Sequence, residues 1–260
     1  MFNSKPRGLQ LWLIFVFVVA TGFSNRIHAE QIRVAVAANF YRPMQALASD
    51  FTERSGHQVS LSAGSTGKLY AQIINGAPFD VFIAADQARP KALVDNGRAK
   101  AASQLTVAIG QLVLWSADPE LIAGPQQLQP DSAISRLAIA NPKSAPYGAA
   151  ALTVMEHLGV KDYWSSRLVQ GQNISHTYQY VSSGNATAGF VAASQVYHHG
   201  QLTSGSAWLV PESLHQPLKQ DAVIINSAAQ PQAAVELLNY FRSPAAKRII
   251  ESFGYQTQSH

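Results

Sequence analysis

From Ile32 onward the apolar positions of the chain switch repeatedly between two spacings. Ile32, Val34 and Val36 recur at every second residue, the period of a strand, and this run ends at Ala37-Ala38-Asn39. Phe40, Met44, Leu47, Ala48 and Phe51 then recur at helical spacing until Gly56. Asn39 stands where an N-cap belongs, and Pro43 falls in the first turn, where its missing N–H does little harm. Val59 and Leu61 predict a second strand. A glycine-containing turn at Gly64–Lys68 follows, then a helix carrying Leu69 and Ile73, and a short buried strand over 80–85. Such alternation predicts a mostly parallel sheet wrapped by helices.

The same alternation returns further along. Leu105 to Ser116 is one long apolar stretch, expected to cross into a second lobe. Leu137–Ala140 predicts a strand, Asn141 to Gly148 a rigid loop, and the following helix ends at Leu158-Gly159. Asn173-Ile174 opens another helix with Ile174, Thr177, Tyr178 and Val181 on one face. Strands are expected at 189–193 and 207–210, and Ala222 to Asn226 is expected to cross back. Helices over 231–242 and 244–253 close the chain. The predicted organisation is α/β with two lobes: residues 30–107 with 222–260, and residues 108–221 between them.

Residues 1–29 change the charge picture. Lys5 and Arg7 precede an uncharged apolar run from Leu9 to Ala20, and Ile27-His28-Ala29 offers a cleavage site before Glu30. The run is short for a membrane span, so a cleaved secretory signal over residues 1–29 and a periplasmic destination are expected. The whole chain has 19 basic and 15 acidic residues. Cleavage removes Lys5, Arg7 and Arg26 and leaves the mature chain nearly neutral, which gives no footing for nucleic-acid binding. Cysteine is absent, so this exported chain relies on its core and not on disulfides.

Four predicted helix starts concentrate the candidate chemistry: Asn39 and Thr66 in the first lobe, Tyr147 and Ile174 in the second. A helix start leaves backbone N–H groups without acceptors, and its dipole favours an anion. Ser65 and Thr66 add hydroxyls at one of these mouths. The stretches 37–44, 62–71, 141–150 and 172–178 contain no Asp or Glu. A cation or sugar site commonly supplies carboxylates, so this composition favours a bound oxyanion.

These same stretches carry a family likeness. Ala35-Val36-Ala37-Ala38-Asn39-Phe40, Gly64-Ser65-Thr66-Gly67-Lys68-Leu69-Tyr70-Ala71-Gln72-Ile73, and Gly76-Ala77-Pro78-Phe79-Asp80-Val81-Phe82 resemble the periplasmic molybdate-binding proteins. So do Ala84-Ala85-Asp86, Asn141-Pro142 with Ala145-Pro146-Tyr147-Gly148, and Ala188-Gly189-Phe190-Val191-Ala192. The resemblance runs through nearly the whole mature chain. It implies a type II periplasmic binding protein: two α/β lobes joined by a two-stranded hinge, the ligand cleft between them. It implies a monomeric receptor that delivers molybdate or tungstate to an inner-membrane ABC permease. No cofactor and no free metal cation is implied, molybdenum arriving as its oxyanion. Carried over residue by residue, the ligand contacts fall on Asn39, Thr66, Tyr147 and Ile174, with Ala38 and Ser65 adjacent. Many members have Ser where this chain has Asn39 and Thr66, and some use a tyrosine where it has Ala192. Asn39 is expected to donate its side-chain NH₂ to the anion, and Ile174 only its backbone N–H.

Other chemistries fit less well. The Gly64–Lys68 turn lacks the first Gly and the Ser/Thr after Lys of a nucleotide P-loop, Ser62 and Leu69 standing there. Lys68 is expected in solvent. A Ser65 or Thr66 hydrolase using His57 or His176 has no nucleophile-elbow spacing. His198-His199 is expected as a solvated pair, and Trp115, Trp164 and Trp208 as core or hinge packing. Sulfate or thiosulfate is the alternative ligand, differing from molybdate in size.

Overall fold

A computed structural model describes residues 1–2 and 29–257 of the chain. The expected signal segment therefore lies almost wholly outside the described residues. No helix among those described is long and apolar enough to cross a membrane.

The first lobe begins with β1 (Gln31–Ala37), a short 3₁₀ turn over Ala38–Phe40, and α1 (Tyr41–Ser55). It continues through β2 (Gln58–Gly64), α2 (Thr66–Ile74), β3 (Val81–Ala84), α3 (Ala88–Asp95) and β4 (Leu105–Gly110). Then β5 (Leu112–Ser116), β6 (Leu137–Ala140), α4 (Pro146–His157), α5 (Lys161–Ser165), β7 (Leu168–Gly171) and α6 (Ile174–Ser182) build the second lobe. It is completed by β8 (Ala188–Ala192), α7 (Ala193–Val196), the small hairpin β9 (Tyr197–His198) and β10 (Gln201–Leu202), and β11 (Ser206–Leu209). The chain returns as β12 (Leu218–Ile224), followed by α8 (Pro231–Tyr240) and α9 (Pro244–Ser252).

Two five-stranded sheets result, ordered β2-β1-β3-β12-β4 and β11-β5-β8-β6-β7. In the first, β1 runs parallel to β2 and β3, and β12 antiparallel to β3 and β4. In the second, β6 runs parallel to β7 and β8, and β5 antiparallel to β8 and β11. Period-two alternation explains how each sheet is covered on both faces. Ile32, Val34 and Val36 face a cluster with Met44 and Leu47 of α1, Leu237 of α8 and Ile250 of α9, while Ala35 faces Leu69, Ile73 and Leu93. In the second lobe Leu112 and Leu114 pack with Met155 and Trp164, and Val113 and Trp115 pack with Val181.

Several expectations shift. The stretch 105–116 is two strands, broken at Gln111, with β4 in the first sheet and β5 in the second. The return crossing precedes β12, which pairs with β4 from Leu218 and with β3 from Asp221, so it is not at 222–226. The lobe limits taken from the sequence move by a few residues accordingly. Strand β7 and helices α3 and α5 had no sequence expectation. Trp115 and Trp164 are core residues of the second lobe, donating their indole N–H groups to Ser204 O and Leu128 O.

Two strand registers place the helix starts. Ala37 pairs with Gly64 at the carboxyl ends of β1 and β2, and Ala140 pairs with Gly171 at the carboxyl ends of β6 and β7. Ligands of open α/β sheets lie at such ends. Here the two pairs of ends face each other across the cleft, and the lobes touch there. Gly67 N–H donates to Ser144 O at 2.8 Å, Lys68 Nζ to Gln172 Oε1 at 2.8 Å, and Ser194 Oγ to Asn39 O at 2.8 Å.

Candidate oxyanion site

All six sequence candidates come together. Ala38, Asn39, Ser65, Thr66, Tyr147 and Ile174 line one cavity with Ala37, Gly64, Ala145, Pro146 and Asn173. The void is small, about 10 Å³ as space for the centres of water-sized spheres. The oxygen centres of one tetrahedral oxyanion enclose only a few Å³, so the void has the scale of such an ion and not of a sugar or amino acid. Among the described residues no ionisable acid or base of Asp, Glu, Lys, Arg or His type lines it.

Thr66 is the first residue of α2, Ile174 the first of α6, and Tyr147 the second of α4. Helix geometry leaves the N–H groups of all three without an intrahelical acceptor. Their dipoles add positive potential at the same point.

The side chains divide into those already occupied and those left free. Ser65 is the N-cap of α2, with φ −70° and ψ 144°, yet its side chain makes no cap bond, and its buried hydroxyl has no hydrogen-bond partner among the described residues. The Thr66 hydroxyl accepts from Ala85 N–H at 3.1 Å, which leaves its own hydrogen to donate. Asn173, by contrast, spends its side-chain oxygen on the N–H groups of Ser175 and His176 at 2.9 and 3.1 Å.

The expected role of the Asn39 side chain is corrected. Its Nδ2 donates to Gln220 Oε1 at 2.7 Å and to Tyr255 Oη at 2.9 Å, so both hydrogens are committed away from an incoming anion. Nor is Asn39 an N-cap: α1 starts two residues later, capped by Phe40 without a side-chain bond. A bulge between Gln220 and Asp221 in β12 turns both of these consecutive polar residues inward. Gln220 then meets Asn39, while Asp221 accepts from Thr106 Oγ1 at 2.6 Å and Gln104 Nε2 at 2.8 Å. Asn39 thus fixes the turn that carries Ala38 and its own peptide to the cavity wall.

Tyr147 also splits its roles. Its phenol reaches back toward Gly110, where β4 ends, and its buried hydroxyl makes no hydrogen bond among the described residues although Tyr255 and Asn39 are close. Burial, and then the neighbouring Tyr255, push its pKa well above the ordinary tyrosine value. Burial likewise pushes Tyr255 up to about 12. Both phenols are neutral at physiological pH.

The supporting residues Gln195, Ser194, Gln220 and Tyr255 were missed by the sequence. Gln195 Oε1 accepts from Ala192 N–H at 2.9 Å and its Nε2 donates to Ile174 O at 3.2 Å, which orients the start of α6. Its one sequence signal is a glutamine inside the apolar run 188–196. The rival chemistries find no geometry. His57 lies with Glu30 N–H and Glu236, and among the described residues no histidine hydrogen-bonds to Ser65 or Thr66. Among the described residues no group of three or more His, Cys, Asp or Glu could hold a metal ion. A larger groove of about 340 Å³ lies beside the cavity, but its Arg89 is already paired with Asp86.

Comparisons with known proteins bear on the family and the fold. A family model described as bacterial extracellular solute-binding protein matches residues 32–256. The chain is 47% identical over 230 residues to the molybdate-binding protein ModA of Azotobacter vinelandii, covering 88% of this chain and 91% of that one. It is 44% identical over 230 residues to the ModA of Rhodobacter capsulatus, covering 88% and 90%. The solved structure of a periplasmic molybdate-binding protein from Azotobacter vinelandii superposes with a TM-score of 0.85 at 37% identity, covering 88% of this chain and all of that one.

Proposed function

The chain belongs to the bacterial extracellular solute-binding proteins, with their two-lobed type II fold, and we propose that it is a receptor that encloses molybdate, and equally tungstate, between its lobes. One observation carries the proposal: a buried serine at a helix N-cap keeps its hydroxyl free inside an ion-sized void that holds no charged side chain. A dianion in such a void is held by neutral donors. The hydroxyls of Ser65 and Thr66 and the first-turn N–H groups of Thr66, Tyr147 and Ile174 supply them, aided by three helix dipoles. Each lobe contributes part of the set, so full coordination requires both lobes to meet.

Bound molybdate is cargo in this proposal, and the protein carries out no reaction on it. The exported, processed monomer hands the ion to an inner-membrane ABC permease, and cleavage after Ala29 sets the mature start. The relatives named above are molybdate-binding proteins, which favours molybdate over sulfate or thiosulfate as the cargo. Hydrogen phosphate carries a proton that wants a strong acceptor, and the cavity offers no carboxylate for it. Calorimetric titration with molybdate, tungstate, sulfate, thiosulfate and phosphate tests the proposal. Tight one-to-one binding of the first two is expected. Preferential uptake of sulfate, or heat from phosphate comparable to molybdate, would overturn it.

A further inference from the structure

We infer that Gly67 sets the width of the anion cavity, and so its discrimination by ion size; this rests on the oxyanion function proposed above. At Gly67 the two lobes meet backbone to backbone beside the cavity; the other such contact among the described residues, His199 N–H to Ser252 O at 2.8 Å, joins the β9–β10 hairpin to α9. Its N–H, in the first turn of α2, crosses the cleft to Ser144 O at 2.8 Å. A Cβ placed on Gly67 would lie 3.0 Å from Ser144 Cα, 3.2 Å from its Cβ and 3.2 Å from its carbonyl oxygen. Those neighbours are main-chain atoms and a short side-chain stem, which cannot swing aside as a long side chain would.

The loop on the far side is itself braced. Asn141 O accepts from Ser144 N–H at 3.1 Å and from Ala145 N–H at 2.8 Å, and Asn141 Oδ1 accepts from Lys143 N–H at 3.0 Å. The glycine is not required by its own backbone. Gly67 lies within a helix and is not among the glycines with positive φ, so alanine would be the better helix former there. What glycine provides is the close approach.

That approach is tied directly to the cavity. Ser65 and Thr66 precede Gly67 on one wall, and Ala145, Pro146 and Tyr147 follow Ser144 on the other. A methyl group at 67 therefore holds these walls apart by a few tenths of an ångström. Tetrahedral dianions that differ only in size are told apart when both walls touch the ion at once. Widening the gap weakens molybdate binding and erodes its advantage over the smaller sulfate. Once the lobes part, the same methyl no longer meets Ser144, so each lobe on its own is left intact.

Gly67→Ala tests this by calorimetry with molybdate and sulfate, paired with thermal unfolding of the unliganded protein. The expected result is a fall of at least tenfold in molybdate affinity, a narrower molybdate-to-sulfate ratio, and an unliganded melting temperature that is unchanged or higher. Lys68→Ala, which removes the exposed cross-cleft contact to Gln172, is expected to change affinity less than threefold. Unchanged affinity and ratio in Gly67→Ala would overturn the inference alone, as would a drop in unliganded stability. Wild-type protein that binds no molybdate would overturn the proposed function and the inference with it.

Discussion

Ser65 and Ser243 are the same residue in the same local conformation. Both are helix N-caps, with φ and ψ of −70° and 144° at Ser65 and −69° and 150° at Ser243. The Ser243 hydroxyl accepts from Ala246 N–H at 3.1 Å and closes the first turn of α9. The Ser65 hydroxyl is buried and bonds to nothing among the described residues. Ser243 supports the fold through its cap, whereas Ser65 leaves a buried donor unsatisfied, a cost of about 1–3 kcal/mol that a ligand oxygen would offset. Local sequence rules describe Ser243 fully, and they fail at Ser65, which lines the candidate cavity.

The comparison can be broken most forcefully at Asn39, which aims the turn beside Ser65. Asn39→Asp keeps the shape but loses both Nδ2 donations and sets a carboxylate against Gln220 Oε1 and the anion cavity. Molybdate binding should disappear in calorimetry, and urea unfolding should show about 3 kcal/mol or more of lost stability from a buried unpaired charge. Tight binding in the folded variant would mean the turn does not control the cavity.

Thr66 combines both uses of a hydroxyl. Thr66→Val should weaken molybdate binding by about 1.5–3 kcal/mol, the range for a hydrogen bond to a charged group. It also orphans the buried Ala85 N–H, so stability should fall by about 1–3 kcal/mol, a loss that the sequence did not foretell. An unchanged affinity with the stability loss alone would assign Thr66 to structure.

The two serines themselves give the sharpest crossed test. Ser243→Ala should cost about 1 kcal/mol of stability and leave binding untouched. Ser65→Ala should lower molybdate affinity by about 1.5 kcal/mol while stability holds or rises, since a buried unpaired hydroxyl is removed. Parallel behaviour of the two variants in melting and titration would erase the distinction.

How much of this was legible in the sequence follows from distance along the chain. The helix starts at Thr66, Tyr147 and Ile174 were readable because glycine, proline and Asn173 stand immediately beside a change from strand to helix spacing. The free state of Ser65 was not, because it depends on what the folded neighbourhood lacks. The commitment of Asn39 was hidden for a similar reason: Gln220 and Tyr255 lie 181 and 216 residues away. The break at Gln111 was masked because apolar residues continue through both β4 and β5. The four-residue β7, half exposed, carries too little period-two signal to register.

The smallest expected effect concerns pH. Tyr147 and Tyr255 have folded pKa values raised by burial, so each contributes stability that is fully present below the unfolded value near 10. That contribution is lost as pH rises toward about 12, the value to which Tyr255 is pushed. Melting temperature should therefore decline over this alkaline window, and Tyr255→Phe should flatten part of the decline. Around neutrality molybdate affinity should stay level, because no acid or base lines the cavity. A steep change in affinity between about pH 6 and about pH 8 would point to a titrating histidine at the site.

The distinction between a spent cap and a free one is decided most directly by the crystal structure of the protein with molybdate, located by its anomalous scattering. The molybdenum should sit in the cavity between Ser65 and Tyr147. Its oxygens should lie within hydrogen-bond distance of the Ser65 and Thr66 hydroxyls and of the N–H groups of Thr66, Tyr147 and Ile174. Anomalous density in the groove beside Arg89 and Gln216, or molybdate bound with the Ser65 hydroxyl turned away from it, would contradict the account.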